Sequence, residues 1–156
     1  MITIEQLTFI VREASKLMVT DGFEIDQKDG FENIVTSSDV AVQNYLCKSL
    51  SVLMPDSGFL CEEKDINDSC HEYTWIIDPI DGTANYSRGI DQCAICVGLK
   101  HGEEMLMGVV FLPRTNELFH AEKGKGAFLN GKRIHVSDRG FSNAVLCTAL
   151  PVYHKE

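Results

Sequence analysis

Between Gly58 and Val136 the chain is cut into apolar runs too short for helices: GFLC, YTWII, CAICVGL, MLMGVVFL, ELFHA, AFLN and RIHV. Turn formers separate them: HGEE from His101, Pro113 to Asn116, and Asn130-Gly131, a pair that favours two-residue hairpins. Strands joined by tight turns are antiparallel neighbours, so this region is predicted to form one mostly antiparallel sheet. Two helical patterns precede it. Thr3 and Gln6 form a capping box ahead of Leu7, Ile10, Val11, Ala14, Leu17 and Met18, a run stopped by Gly22. Residues 23–35 are mixed and polar. TSSD then supplies caps for a second helix starting near Asp39, with Val42, Tyr45, Leu46, Leu50 and Leu53 on one face up to Pro55. Helices first and strands after specify an α+β fold, with helices covering one face of the sheet. The final AVLCTALPVY begins like another buried strand.

At 156 residues, 44% apolar and 24% charged, the chain is long enough for one domain with a core. A net charge of −9 argues against nucleic acid or an anionic membrane as partner, since both are held by clustered Lys and Arg. No apolar stretch nears the ~20 residues of a spanning helix, and Glu5, Arg12 and Glu13 interrupt the region where a signal peptide is apolar, so a cytoplasmic location is expected. The six cysteines lack zinc-site spacing. Cys93 and Cys96 read C-x-x-C within a strand-like run, where side chains three apart face opposite sides, so they read as buried free thiols. The five histidines form no i, i+4 pair and read as surface or strand-edge residues.

Acidic residues stand at two predicted strand ends. Glu62 and Glu63 follow GFLC, and Asp78 and Asp81 follow YTWII. If those strands are neighbours, the carboxylates meet at one edge, where repulsion raises their pKa values or demands a hard cation such as Mg²⁺, Mn²⁺ or Ca²⁺. Pro79 fixes the backbone so that the Ile80 carbonyl and both aspartates turn toward one point. Gly82 lets a ligand approach the main chain, and a turn into a helix presents the Gly82 and Thr83 N–H groups to an anion. Plainer readings stand beside these: Asp-Pro and Asp-Gly are ordinary turn formers, Glu63 and Lys64 fit a solvated turn, and Asp39 fits a helix cap, as do Ser37 and Ser38.

Four segments, in order, resemble the inositol monophosphatase family of magnesium-dependent, lithium-sensitive sugar phosphatases. DPIDGTANY is similar to its D-P-[IL]-D-G-T-x-N-[FY] signature, GFLCEEKD to its G-E-E segment, NIVTSSDVAVQNYL to its V-T-x-x-D helix start, and ELFHAEKGKGAFLNGKRIHVS to its K-G-x-G-A-x-x-N-G hairpin. The resemblance implies that Glu62, Asp78 and the Ile80 carbonyl hold one Mg²⁺ and that Asp78 and Asp81 contribute to a second. In some members a third ion lies near Glu62. Gly82 and Thr83 would bind phosphate. Asp39 would accept a hydrogen bond from the Thr83 hydroxyl, and this pair, with Glu62, would orient and deprotonate a metal-bound water. Lys28 sits where many members carry a lysine. The implied reaction is hydrolysis of a small phosphorylated polyol or sugar such as inositol monophosphate. Fructose-1,6-bisphosphate, 3′-phosphoadenosine 5′-phosphate and histidinol phosphate are alternatives within the superfamily, and a non-catalytic metal-binding or interaction role is the alternative of another class. Many relatives are homodimers.

The sequence departs from the family pattern at Cys61, where glycine is usual, at Asp91, where proline is common, and in the short connection from Glu63 to Trp75. Residues 1–150 read as an N-terminal metal- and phosphate-binding domain, and 151–156 as the start of a second half. Family members carry a W-D-x-A-A-G segment in that half, whose aspartate completes the second metal site. These residues contain no such segment. The expectation is an N-terminal portion with little activity alone.

Overall fold

The computed structural model describes residues 2–19, 22–27, 34–63, 67, 68, 71–145 and 147. Lys28 and the predicted boundary at 150 lie outside them.

Helix α1 (Ile4–Ser15) starts at the predicted box: the Thr3 side chain accepts from the Gln6 N–H, and Gln6 reaches back to the Thr3 N–H. It stops well before Gly22. The N–H groups of Lys16, Leu17 and Met18 bond to carbonyls three residues back, and this tighter turn ends the α-helix while the apolar pattern still runs. Strands β1 (Ile25–Gln27) and β2 (Ile34–Thr36) form a small antiparallel pair that the polar composition of this stretch concealed. Helix α2 (Ser37–Leu53) begins two residues before Asp39. Its N-cap is Thr36, and Asp39 is the third helical residue, closing a second capping box.

The seven predicted strands become β3 (Gly58–Cys61), β5 (Tyr73–Asp81), β6 (Ala94–His101), β7 (Glu104–Leu112), β8 (Glu117–Glu122), β9 (Gly126–Leu129) and β10 (Lys132–Ile134), and a short polar strand that the apolar pattern did not mark, β4 (Asn67–Asp68), pairs with β3. A four-residue helix, α3 (Thr83–Tyr86), follows β5. The sheet order is β10-β9-β8-β7-β6-β5-β3-β4, antiparallel throughout except between β3 and β5. The positive φ of Asn130 and Gly131 confirms the predicted hairpin turn. Ala144, Val145 and Cys147 are exposed and in no strand, contrary to the reading of the tail, because no neighbouring strand pairs with them.

Both long helices cover one face of the sheet. Leu7, Val11 and Ala14 of α1 and Val42, Leu46 and Leu50 of α2 pack on Trp75, Ile77, Ile95, Val97, Leu99 and Phe111. Burial of these side chains, roughly 1.5–3 kcal/mol for each Val, Leu, Ile and Phe and less for Ala14, holds the layers together. The opposite face is an open concavity of ≈ 760 Å³ lined by residues such as Leu60, Ile76, Val110, His120 and Phe128. His120 departs from the surface reading: it stacks on Phe128 with ring centroids 5.0 Å apart, and its Nδ1 is buried. Among the described residues no helix is long and apolar enough to cross a membrane.

Candidate metal and phosphate site

Strands β3 and β5 run side by side in parallel, with Cys61 opposite Ile77. The Glu62 N–H donates to the Ile77 carbonyl at 3.1 Å, so Glu62 leaves its strand next to Asp78, as the two acidic strand ends required. Asp81 arrives by a break in the strand at Pro79, the residue expected to turn both aspartates toward one point, and the form of that break was not legible. On an unbroken strand, side chains three apart face opposite sides. In β5 the register shifts: Asp78 pairs with Cys96 and Asp81 with Ala94, leaving Pro79 and Ile80 against Ile95 alone. The extra residue is a bulge, placed where Pro79 has no N–H to give the ladder, and it resets the alternation so that Asp81 acts on Asp78.

Asp78 carries the consequences. Burial, then hydrogen bonding with Glu62, then the charges of Glu62 and Asp81 push its pKa up to about 8, partly opposed by the Ile80 N–H. Its Oδ1 is buried with no hydrogen-bond partner. Burial and the same three carboxylates push the Cys96 thiol up to about 12, so Cys96, read from the sequence only as a buried thiol, faces this cluster. Among the described residues no three His, Cys, Asp or Glu side chains are already gathered as a ligand set. Glu62 and Asp81 are exposed, beside the half-buried Asp78. An orphaned carboxylate oxygen beside two further carboxylates, all hard oxygen donors, suits a divalent cation of the Mg²⁺, Mn²⁺ or Ca²⁺ kind.

Beyond Asp81 the chain turns at Gly82, whose φ is +85°. A Cβ there would lie 2.8 Å from the Gln92 carbonyl oxygen. Gly82 is therefore required twice, for its backbone conformation and for its lack of a side chain. Gly82→Ala is expected to lose about 1–3 kcal/mol in urea unfolding through this strain, and to weaken any anion bound at the turn. At the head of α3 the first N–H groups have no partner within the helix.

The Thr83 hydroxyl lies 3.0 Å from Asp39 Oδ1 and 2.9 Å from the Ile80 carbonyl. Asp39 is fully buried. Its Oδ2 accepts from the Thr36 N–H at 2.8 Å and the Thr36 hydroxyl at 2.5 Å. The helix-cap reading and the Thr83-partner reading of Asp39 are both fulfilled, one by each oxygen. Glu63 overturns the solvated-turn reading. It is buried, its N–H donating to Gln43 Oε1 at 3.1 Å and its carbonyl accepting from Gln43 Nε2 at 2.8 Å. The cause is Gln43, a buried amide on α2 that satisfies both backbone groups as the chain leaves the sheet. Glu62, Asp78, Ile80, Asp81, Gly82, Thr83 and Asp39 thus come from three segments to one end of the sheet.

The inositol monophosphatase family model matches residues 3–156. An inositol-1-monophosphatase of Caulobacter vibrioides is 36% identical over 148 residues, covering 90% of this chain and 58% of that protein. A fructose-1,6-bisphosphatase/inositol-1-monophosphatase of Thermotoga maritima is 38% identical over 114 residues, covering 73% and 44%. The crystal structure of extragenic suppressor protein suhB from Bartonella henselae matches with a TM-score of 0.81 at 29% identity, covering 87% of this chain and 55% of that one. The chain spans about half the length of the relatives it matches. Agreement in sequence and in fold, running from the capped first helix through the acidic turn, makes this chain a member of the inositol monophosphatase family.

Proposed function

We propose that the protein hydrolyses the phosphomonoester of a small polyol or sugar, such as inositol monophosphate, with Mg²⁺ held by Glu62, Asp78, Asp81 and the Ile80 carbonyl. The observation that carries this reading is the partnerless buried Oδ1 of Asp78, set between Glu62 and Asp81 and directly before the Gly82 turn. A divalent cation there would neutralise the carboxylates, lower the pKa of a bound water and share the charge of the phosphate. The chain's own groups do the rest. Gly82 and Thr83 offer backbone N–H groups to phosphate oxygens. Asp39 holds the Thr83 hydroxyl in place, and Glu62, exposed at the strand end, is positioned to receive a proton from the attacking water. Hydrolysis is direct, since among the described residues no Ser or Cys is hydrogen-bonded to a histidine that would activate it as a nucleophile.

The test is phosphate release from inositol monophosphate, fructose-1,6-bisphosphate, 3′-phosphoadenosine 5′-phosphate and histidinol phosphate, with and without Mg²⁺. It is run on residues 1–156 and on a form carried through any sequence that follows Glu156. The extended form is expected to be active only with Mg²⁺, at about 1–10³ s⁻¹ on its best substrate. Residues 1–156 are expected to be at least about 10²-fold slower, because one face of the sheet is uncovered and the second metal site lacks the ligand that the family resemblance supplies from elsewhere. Absence of release by both forms would sink the reading and favour a non-catalytic interaction role.

A further inference from the structure

Helix α2 meets the segments that carry the site through three side chains spaced four residues apart. Asp39 accepts from the Thr83 hydroxyl, Gln43 clasps the Glu63 backbone, and Cys47 Sγ lies 3.7 Å from Cys61 Sγ. Side chains at this spacing lie along one face of a helix, so the thiol pair extends the row that positions the site. Both cysteines are free; Cys61 is buried and Cys47 half-buried. Their sulfurs need approach by only about 1.7 Å to reach disulfide length. We propose that Cys47 and Cys61 form a reversible disulfide site that couples the thiol redox state to Glu62. This rests on the reading of the carboxylate cluster as the metal site.

The co-reactant is a low-molecular-weight disulfide of the glutathione class. The Cys47 thiolate is the accessible nucleophile, and its pKa is lowered by its hydrogen bond with Cys61. It attacks one sulfur of the small disulfide and expels one thiolate, leaving a mixed disulfide on Cys47. Cys61 then gives up its proton and attacks Cys47 Sγ, expelling the second thiolate. Two protein thiols are oxidised, and the small disulfide is reduced to two thiols. The C-x-x-C pair offers no equivalent: Cys93 packs with Ile80 and Tyr86, whereas Cys96 lines the opposite, open face.

The consequence for Glu62 follows from its tethers. Cys61 is held in register with Ile77, the Glu62 N–H is bonded to the Ile77 carbonyl, and Gln43 fixes both backbone groups of Glu63. Closing the bond draws on Cys61 between these fixed points, so the resulting strain falls on the adjoining Glu62 peptide.

The test equilibrates the protein in glutathione buffers of graded ratio. Three quantities are read: the cross-linked peptide pair by mass after digestion without reductant, Mn²⁺ affinity by calorimetry, and Mg²⁺-dependent phosphate release. Oxidation is expected to join the Cys47 and Cys61 peptides with loss of two hydrogens, and to lower Mn²⁺ affinity and phosphate release at least about fivefold, all reversed by dithiothreitol. Cys47→Ser is expected to keep the reduced-form values in every buffer. Failure of the pair to link, or linkage with unchanged Mn²⁺ affinity, overturns the proposal. If the reduced form carried through any sequence that follows Glu156 binds Mn²⁺ but releases no phosphate, the phosphatase reading fails, while the cross-link and the change in affinity still support the redox site.

Discussion

Replacing Asp78 by Asn is expected to lower Mg²⁺-dependent phosphate release by about 10³-fold or more, beyond the 10–100-fold cost of losing an outer-shell partner. The same substitution is expected to stabilise the metal-free protein at neutral pH. Asp78 has its pKa pushed up from 3.8 to about 8 in the folded state. Between those values the folded chain holds a proton that the unfolded chain has lost, so the contribution of this group is fully present below about pH 4 and declines as pH rises toward about 8. Asn does not titrate, and it removes the repulsion with Glu62 and Asp81. Urea midpoints measured in chelator from pH 4.5 to 8.5 should therefore fall less steeply with pH in Asp78→Asn than in the wild type. Adding Mg²⁺ should recover the wild type and leave the variant unmoved. Because Asp78 is only partly buried, solvent screening reduces the size of the slope, and its sign is the prediction. A variant that lost activity and also lost stability in chelator would mark Asp78 as a packing residue.

Asp39→Asn is expected to cost roughly 2–4 kcal/mol and to reduce phosphate release about 10²-fold. The buried Asp39 carboxylate accepts from the Thr36 N–H, the Thr36 hydroxyl and the Thr83 hydroxyl. An amide keeps one acceptor atom, so with its carbonyl on the Thr36 cap its NH₂ faces Thr83, whose hydroxyl must then accept and turn its own proton to the Ile80 carbonyl; the cap and the Thr83 contact both lose their charged acceptor, and the Thr83 proton is redirected. Thr36→Ala separates the two roles. It removes half of the capping box, costing about 1 kcal/mol, but leaves Asp39 Oδ1 opposite Thr83, so phosphate release should stay within about tenfold of wild type. Equal losses of activity in Asp39→Asn and Thr36→Ala would show that Asp39 matters only as a cap.

The hairpins and the first capping box were legible in the chain because each depends on residues near in sequence: Asn130-Gly131 for a turn, Thr3 with Gln6 for a helix start; at the second helix TSSD marked the start, but not Thr36 and Asp39 as the pair that caps it. The candidate site was legible as a list of residues, since Glu62, Asp81, Gly82 and Thr83 lie at or beside strand ends and Asp78 directly follows the apolar run of β5, although β5 continues past it to Asp81. How they converge was less so. Alternation alone sends Asp81 away from Asp78, and only the bulge at Pro79 and Ile80 reverses it, a feature of how β5 pairs with β6 and so of residues far along the chain. Glu63 was misread because its burial is decided by Gln43, twenty residues earlier on α2. The approach of Cys47 to Cys61 escaped for the same reason: helix and strand face each other only once the layers pack. Asp39 was read as either cap or partner, when its two carboxylate oxygens serve both.

Glu62, Asp78 and Asp81 are expected to hold a divalent cation beside the Gly82 turn. Anomalous scattering from crystals of the protein grown with Mn²⁺ tests it most directly. The strongest Mn²⁺ peak is expected about 2.1 Å from oxygens of Glu62, Asp78 and the Ile80 carbonyl. Saturating Mn²⁺ that leaves these oxygens without a peak, or that concentrates at another cluster, would contradict it.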